Sequence, residues 1–179
     1  MALHAAFLRG MNVGGHRITN ADLRTEFEAL GFESVATFRA SGNVVFDSKG
    51  KSEAELRSAI EKGLEDGLGY AVPAFIRTAA ELEEIGGSEP FDQESVAASK
   101  GKLQVLLLGK APSKSARKSV LALATDEDML AFGRRELFWL PSGGILESEL
   151  DQGAIGKLLG RWTARTMGTM EQLVGKFVS

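Results

Sequence analysis

Ten residues near the N-terminus contain most of the side chains in this sequence that suggest a binding site for a charged ligand. Residues 8–17 read LRGMNVGGHR, with three glycines, two arginines, one asparagine and one histidine. Glycine lets the backbone turn its N–H groups outward, and cations beside it complete a concavity that attracts anions. The pattern indicates binding of a small anionic or polar ligand and specifies no reaction. The candidate ligand-binding residues in this run are Arg9, Asn12, Gly14, Gly15 and His16.

The run matches neither of the common nucleotide-binding patterns. Its first and last glycines have the spacing of a Walker phosphate loop, but His16 and Arg17 stand where that loop needs a lysine and a hydroxyl. The dinucleotide pattern GxGxxG also fails, because Gly10 and Gly14 are four positions apart. A cation inside an apolar strand needs a partner, so Arg9 pairs either with a ligand or with an acidic side chain of the protein.

The first half of the chain predicts six elements in the order strand, helix, strand, strand, helix, strand. Thr19 and Ser52 are suited to cap the two helices, and Gly31 ends the first one. Residues 35–40 and 43–47 are β-rich, and the break between them predicts a hairpin. The order strand, helix, strand, strand, helix, strand is that of a split βαβ, or ferredoxin-like, unit.

The predicted topology brings two polar segments to one edge of the sheet. In a split βαβ unit the first and third strands are neighbours and antiparallel, so the end of the first lies beside the start of the third. We therefore expect Arg9 and Asn12 to lie near the hairpin turn. Ser41 and Asn43 of that turn join the candidate ligand-binding residues.

The second half of the chain shows a similar order of elements, following an aperiodic connector over residues 86–101. We predict an α+β protein of two tandem ferredoxin-like (split βαβ) subdomains with antiparallel sheets. The first subdomain is expected over residues 1–94, including a short connector helix, and the second over residues 95–179. A single mixed sheet built from both halves is the alternative.

Composition narrows the function classes. The chain has no cysteine, which excludes disulfides and thiolate chemistry, and its two histidines cannot form a three-histidine metal site. A net charge of −3 argues against broad nucleic-acid binding. The longest aliphatic run, residues 105–108, is too short to span a bilayer. We expect a cytoplasmic protein without a metal site, and the sequence defines neither a cofactor nor an oligomeric state.

Two other function classes remain open. One is an enzyme that uses the same pocket, with His16 as general acid or base. The other is an interaction module for a protein or for nucleic acid, since ferredoxin-like sheets can stack bases on aromatic residues.

The carboxylate groups of Glu83-Glu84 and of residues 126–128 are expected to face water.

Four segments resemble a bacterial family known as domain-of-unknown-function family 1697. They are LRGMNVGG at residues 8–15, SGNVVF at 41–46, GRRELFWLPSGG at 133–144 and TART at 163–166. The resemblance implies a small cytoplasmic α+β protein of two ferredoxin-like subdomains, with no assigned reaction, cofactor or partner.

The sequence departs from that family near its C-terminus. The family favours Ser-Lys-Leu where this chain has Ser148-Glu149-Leu150, and Arg-Asn-Trp-Asn-Thr where it has residues 165–169. Arg165 and Thr169 match the second pattern. The resemblance therefore adds Arg165 to the candidate ligand-binding residues.

Overall fold

The computed structural model describes residues 1–39 and 42–178. The chain forms two compact units. The first unit contains Met1–Glu83 together with the C-terminal segment from Gly175, and the second unit is Glu84–Val174. None of the helices described combines the length and the apolar character that crossing a lipid bilayer requires.

The first unit contains a four-stranded antiparallel sheet with the strand order β2-β3-β1-β4. Its elements are β1 (Ala2–Leu8), α1 (Asn20–Ala29), β2 (Glu33–Thr37), β3 (Asn43–Ser48), α2 (Glu53–Leu68) and β4 (Ala74–Thr78). In the central strand β1, Phe7 lies opposite Asn43 of β3 and opposite Phe75 of β4. This arrangement is the predicted split βαβ unit.

The rest of the chain repeats the same topology, with a second antiparallel sheet in the order β6-β7-β5-β8. Its strands are β5 (Gln104–Leu108), β6 (Asp128–Phe132), β7 (Glu136–Pro141) and β8 (Trp162–Thr166). Its helices are α3 (Ala79–Gly86), α4 (Gln93–Ala98), α5 (Lys114–Leu121), α6 (Gln152–Leu159) and α7 (Met167–Phe177), with a 3-10 turn over Ile145–Glu147. The predicted fold class, two tandem ferredoxin-like subdomains, is confirmed.

Each unit has its own hydrophobic core between one face of its sheet and two of its helices. In the first unit, α2 presents Leu56, Ile60 and Leu64 at helical spacing, and all three are fully buried. They pack with Leu23 and Phe27 of α1 and with residues of one face of the sheet. In the second unit the corresponding core contains Leu106, Leu108, Val120, Leu137, Trp139, Ile155 and Leu159.

The strongest local signals in the sequence are confirmed. Thr19 caps α1, its Oγ1 accepting a hydrogen bond from the Asp22 N–H at 3.1 Å. Ser52 and Glu55 form a reciprocal capping box at the start of α2. The helix α4 was not expected, because none of its residues is buried and it therefore has no apolar stripe in the sequence.

An Arg-Thr pair occupies the same position in both units. Arg77 and Arg165 are each the last residue but one of their strands, β4 and β8, and each pairs with an equivalent position of the central strand of its own sheet. Both guanidinium groups donate from Nη1 to the carbonyl of the preceding residue, at 2.9 and 2.8 Å. The threonine that follows each arginine accepts a hydrogen bond from a backbone N–H in the first turn of the next helix.

Candidate functional site

The loop between β1 and α1 makes a tight turn at its two adjacent glycines. The His16 N–H donates to the Val13 carbonyl at 3.1 Å, which closes a four-residue turn. The central residues, Gly14 and Gly15, have φ values of +61° and +83°. A turn with positive φ at both central positions favours glycine at each of them, because a Cβ is strained there.

Three contacts hold this loop against the first unit. Met11 is buried, and its carbonyl accepts a hydrogen bond from the Tyr70 hydroxyl at 2.7 Å. The His16 ring stacks on the ring of Tyr70, with centroids 3.8 Å apart and planes 21° from parallel. Asn12 closes the loop from within, its Oδ1 accepting from the Ile18 N–H at 3.1 Å. The loop is therefore braced at both ends.

The outward side of this loop offers donors and cations. In the parts of the chain that the structure describes, the N–H groups of Gly14 and Gly15 and the Nδ2 of Asn12 have no hydrogen-bond partner. Arg9 and Arg17 are exposed beside them. No aspartate or glutamate occurs between residues 9 and 21. The local charge therefore favours an anion.

The hairpin turn lies against the end of β1. The Leu8 N–H donates to the Gly42 carbonyl at 2.8 Å. At Gly42, where φ is +83°, an added Cβ would lie 3.0 Å from the Leu8 Cβ and 3.2 Å from the Leu8 oxygen. Asn20, at the start of α1, donates from Nδ2 to the Arg39 carbonyl at 3.1 Å. The two loops thus share one edge of the sheet.

The structure places the predicted site residues in three different settings. Five of them, Arg9, Asn12, Gly14, Gly15 and His16, lie on the β1–α1 loop and are exposed. Asn43 begins β3 beside that loop but is 2% exposed, and its Nδ2 donates to the Phe38 carbonyl at 2.9 Å. Its side chain thus closes the hairpin. Ser41 lies outside the described residues.

Arg165 belongs to the second unit, in β8. Its Nη1 donates to the Thr163 hydroxyl and to the Ala164 carbonyl, both at 2.8 Å. Burial lowers the pKa of its guanidinium to about 10. The side chain is therefore fixed by contacts within its own strand.

His16 is exposed, and its ring stacks on the ring of Tyr70. Among the residues that the structure describes, no carboxylate forms an ion pair or a hydrogen bond with its ring. An orienting partner is what general-base histidines ordinarily have. The geometry therefore supports a stacking role for this ring.

Sequence reasoning missed Arg39, which adds a third arginine to the edge that Arg9 and Arg17 occupy. Arg39 lies on the hairpin loop with a φ of +56°, a backbone conformation that few residues other than glycine adopt. The sequence predicts Arg39 inside the β-rich run of residues 35–40, but β2 ends at Thr37 and leaves this arginine on the loop.

The second unit contains an acidic cavity of about 520 Å³ that the sequence did not reveal. Its lining residues are Thr125, Asp126, Glu127, Asp128, Pro141, Ser142, Gly143, Gly144, Glu147, Ser148 and Glu149. In the described ranges, no group of three or more acidic or histidine side chains is arranged to hold a metal ion.

The expectation that residues 126–128 face water is wrong for Asp128, which is 1% exposed. Its carboxylate accepts hydrogen bonds from Trp139 Nε1 at 2.8 Å, Ser148 Oγ at 2.7 Å and Thr125 Oγ1 at 2.8 Å. Burial by itself raises the pKa of Asp128, but these three hydrogen bonds outweigh it and lower the pKa below its ordinary value. The buried carboxylate joins β6 and β7 to the loop after β7.

Fold and site together define a tandem ferredoxin-like protein with a donor-rich loop after its first strand. The chain belongs to the family described as protein of unknown function (DUF1697), whose sequence model matches residues 1–138. No curated protein matches the chain.

The chain is also similar to a solved structure, that of the conserved bacterial protein SP0830 from Streptococcus pneumoniae. The two share 21% sequence identity with a TM-score of 0.74, over 99% of this chain and 98% of that one. Likeness at this identity shows the fold.

Proposed function

We propose that this protein binds a small anionic ligand at the edge formed by the β1–α1 loop and the hairpin turn. The observation that carries the proposal is the composition of residues 9–21. This segment has cationic side chains and exposed hydrogen-bond donors but no carboxylate. Such a surface attracts phosphate or carboxylate groups. The ligand-binding residues proposed are Arg9, Asn12, Gly14, Gly15 and His16, to which the sequence adds Ser41. Asn43 is proposed to hold the adjoining turn in place, since its buried side chain donates to the Phe38 carbonyl.

The residues of the loop have separate roles in this proposal. The N–H groups of Gly14 and Gly15 donate to oxygen atoms of the ligand, as backbone nests do. Arg9 and Arg17 supply charge, and charge-assisted hydrogen bonds are about twice as strong as neutral ones. The stack on Tyr70 at 3.8 Å holds the His16 ring beside them. The proposal does not need Arg165, whose Nη1 is engaged within β8.

Binding is supported over catalysis by the setting of His16. A general base is ordinarily oriented by a hydrogen-bonded partner, and the described contact of this ring is an aromatic one. An exposed loop braced by Met11 and Asn12 is suited to hold an anion without transforming it.

The test is a titration of the purified protein with inorganic phosphate, citrate and adenosine monophosphate, followed by thermal unfolding and calorimetry. At one hundred times its Kd, a bound anion stabilises the fold by about 2.7 kcal/mol. We expect at least one of the three to raise Tm, and the double variant Arg9→Met/Arg17→Met to bind it about tenfold more weakly.

Lys114→Met/Arg161→Met is the matched control, since it also removes two positive charges, at exposed positions of the second unit that are far along the chain from this loop. It should bind the same anion as the unchanged protein does. The proposal fails if none of the three anions raises Tm, or if the double variant and the control bind equally well.

A further inference from the structure

A second hollow, of about 330 Å³, lies in the second unit. It is formed by the segment around α4, the residue before β5 and the first turns of α7. Its lining residues are Ser88, Glu89, Pro90, Phe91, Gln93, Val96, Ala97, Leu103, Met167 and Glu171. This volume is within the range of cavities that hold small organic ligands.

The lining of this hollow is mostly apolar and only partly covered. Met167 is buried at 6% exposure, whereas Val96 is 38% exposed. Phe91 and Leu103 are half-buried. Asp92 caps the helix α4, its carboxylate accepting hydrogen bonds from the N–H and the hydroxyl of Ser95. None of the residues of this helix is buried. The apolar side chains of α4 thus border this hollow without entering a core.

Two carboxylates give the hollow its charge. Glu89 and Glu171 line it, and both are exposed. Within residues 1–39 and 42–178, neither side chain forms an ion pair or a hydrogen bond. No lysine or arginine belongs to the lining. The hollow therefore combines an apolar surface with a net negative charge, and a cation with an apolar body complements both properties.

We propose that this hollow binds a small organic amine whose apolar body packs on Phe91, Leu103 and Met167. Its ammonium group is then attracted by the carboxylates of Glu89 and Glu171, which line the hollow. The chemical class follows from the lining, because the two carboxylates attract a cation and repel a carboxylate ligand, whereas an uncharged ligand gains nothing from them. This site is separate from the anion-binding edge and does not rest on it.

The test uses tryptamine as the probe, since it joins an indole ring to a primary ammonium group. Titration into the isotopically labelled full chain, followed by backbone NMR, should give saturable shifts centred on residues 88–104 and 167–171. The double variant Glu89→Gln/Glu171→Gln should bind tryptamine about three- to tenfold more weakly, as loss of two exposed ion pairs predicts. Ala97→Phe, which fills the hollow, should abolish the saturable shifts.

The control variant Glu65→Gln/Glu83→Gln changes the net charge equally at two exposed positions outside the lining and should bind as the unchanged protein does. Indole-3-propionate, with the same ring and the opposite charge, should bind more weakly than tryptamine. The proposal is overturned if tryptamine gives no saturable shifts at these residues. It is overturned equally if indole-3-propionate binds as tightly, or if the lining variant and the control bind alike.

Discussion

Gly42 is the residue at which the hairpin turn contacts the end of β1. Two features disfavour a side chain at this position. The φ of Gly42 is +83°, and an added Cβ would lie 3.0 Å from the Leu8 Cβ. For Gly42→Ala we expect a loss of about 1–2 kcal/mol from the left-handed conformation and about 1–3 kcal/mol from crowding. The measurement is the free energy of unfolding in urea.

Gly69→Ala separates these two costs. Gly69 has the same φ of +83° at the end of α2, but nothing lies within 4 Å of an added Cβ. This variant should lose only the conformational cost, about 1–2 kcal/mol. Equal losses for the two variants would show that the contact with Leu8 does not restrict position 42.

Asp128 makes the stability of the protein depend on pH. Its pKa is lowered in the folded state, so the unfolded chain takes up this proton first as the pH falls. The resulting stabilisation is present above the ordinary aspartate pKa of about 3.9 and is lost as the pH falls through the lowered value. Urea unfolding between pH 7 and pH 3 should show a weaker pH dependence for Asp128→Asn than for the unchanged protein.

Asp126→Asn serves as the comparison, because Asp126 is an exposed neighbour with the same charge. Its pH profile should follow that of the unchanged protein. If Asp128→Asn follows that profile too, the hydrogen bonds from Trp139 and Ser148 do not favour the ionised carboxylate.

Buried polar residues are the ones whose roles the sequence conceals. Asn43 and Asp128 both sit in turn-like or charged stretches, which predict exposure. The structure buries both and uses them in hydrogen bonds to Phe38 and to Trp139. Their partners lie 5 and 11 residues away along the chain. Residue type and spacing do not specify such pairs, because register decides which side chains meet.

At the scale of the element, capping determines where α2 begins. The Ser52 Oγ accepts from the Glu55 N–H, and the Glu55 carboxylate accepts from the Ser52 N–H at 2.7 Å. The hydrogen bond from that backbone N–H lowers the pKa of Glu55. Ser52→Ala should cost about 1 kcal/mol in the free energy of unfolding. Chemical denaturation followed by circular dichroism would measure it.

Ser58→Ala, in the exposed middle of the same helix, is the matched substitution. Alanine has the higher helix propensity there, so this variant should be neutral or slightly more stable. A loss at position 58 as large as that at position 52 would contradict a capping role for Ser52.

Elements with caps and a buried stripe could be predicted from the sequence, and those without could not. A cap at Ser52 and an apolar stripe of Leu56, Ile60 and Leu64 predict a helix over residues 53–68, and α2 has these bounds. The largely apolar run of residues 4–11 predicts a first strand that continues to Met11, whereas β1 ends at Leu8. The chain turns at Gly10, which has a φ of +71°, so Met11 belongs to the loop although its side chain is buried in the core. Hydrophobicity alone does not separate a strand from a loop that packs on the core.

At the scale of the whole molecule, tryptophan fluorescence reports on one unit. Both tryptophans, Trp139 and Trp162, lie within Glu84–Val174. Ile155→Ala removes a fully buried side chain from the core of that unit and should cost about 2–5 kcal/mol. The fluorescence transition in urea should move to a correspondingly lower midpoint.

Leu158→Ala tests whether burial is the cause, since Leu158 lies on the same helix and is 40% exposed. It should shift the midpoint far less than Ile155→Ala does. Comparable shifts would indicate that the helix, rather than the core that it covers, limits the stability of this unit.

The first unit includes the C-terminal segment from Gly175, where the Phe177 ring meets the Phe38 ring edge-on with centroids 5.9 Å apart. During synthesis on the ribosome, Phe38 leaves the exit tunnel well over a hundred residues before Phe177 does. The N-terminal half therefore acquires this aromatic neighbour only after the residues of the second unit have been synthesised. Its complete packing thus depends on a segment that is translated after the whole of the second unit.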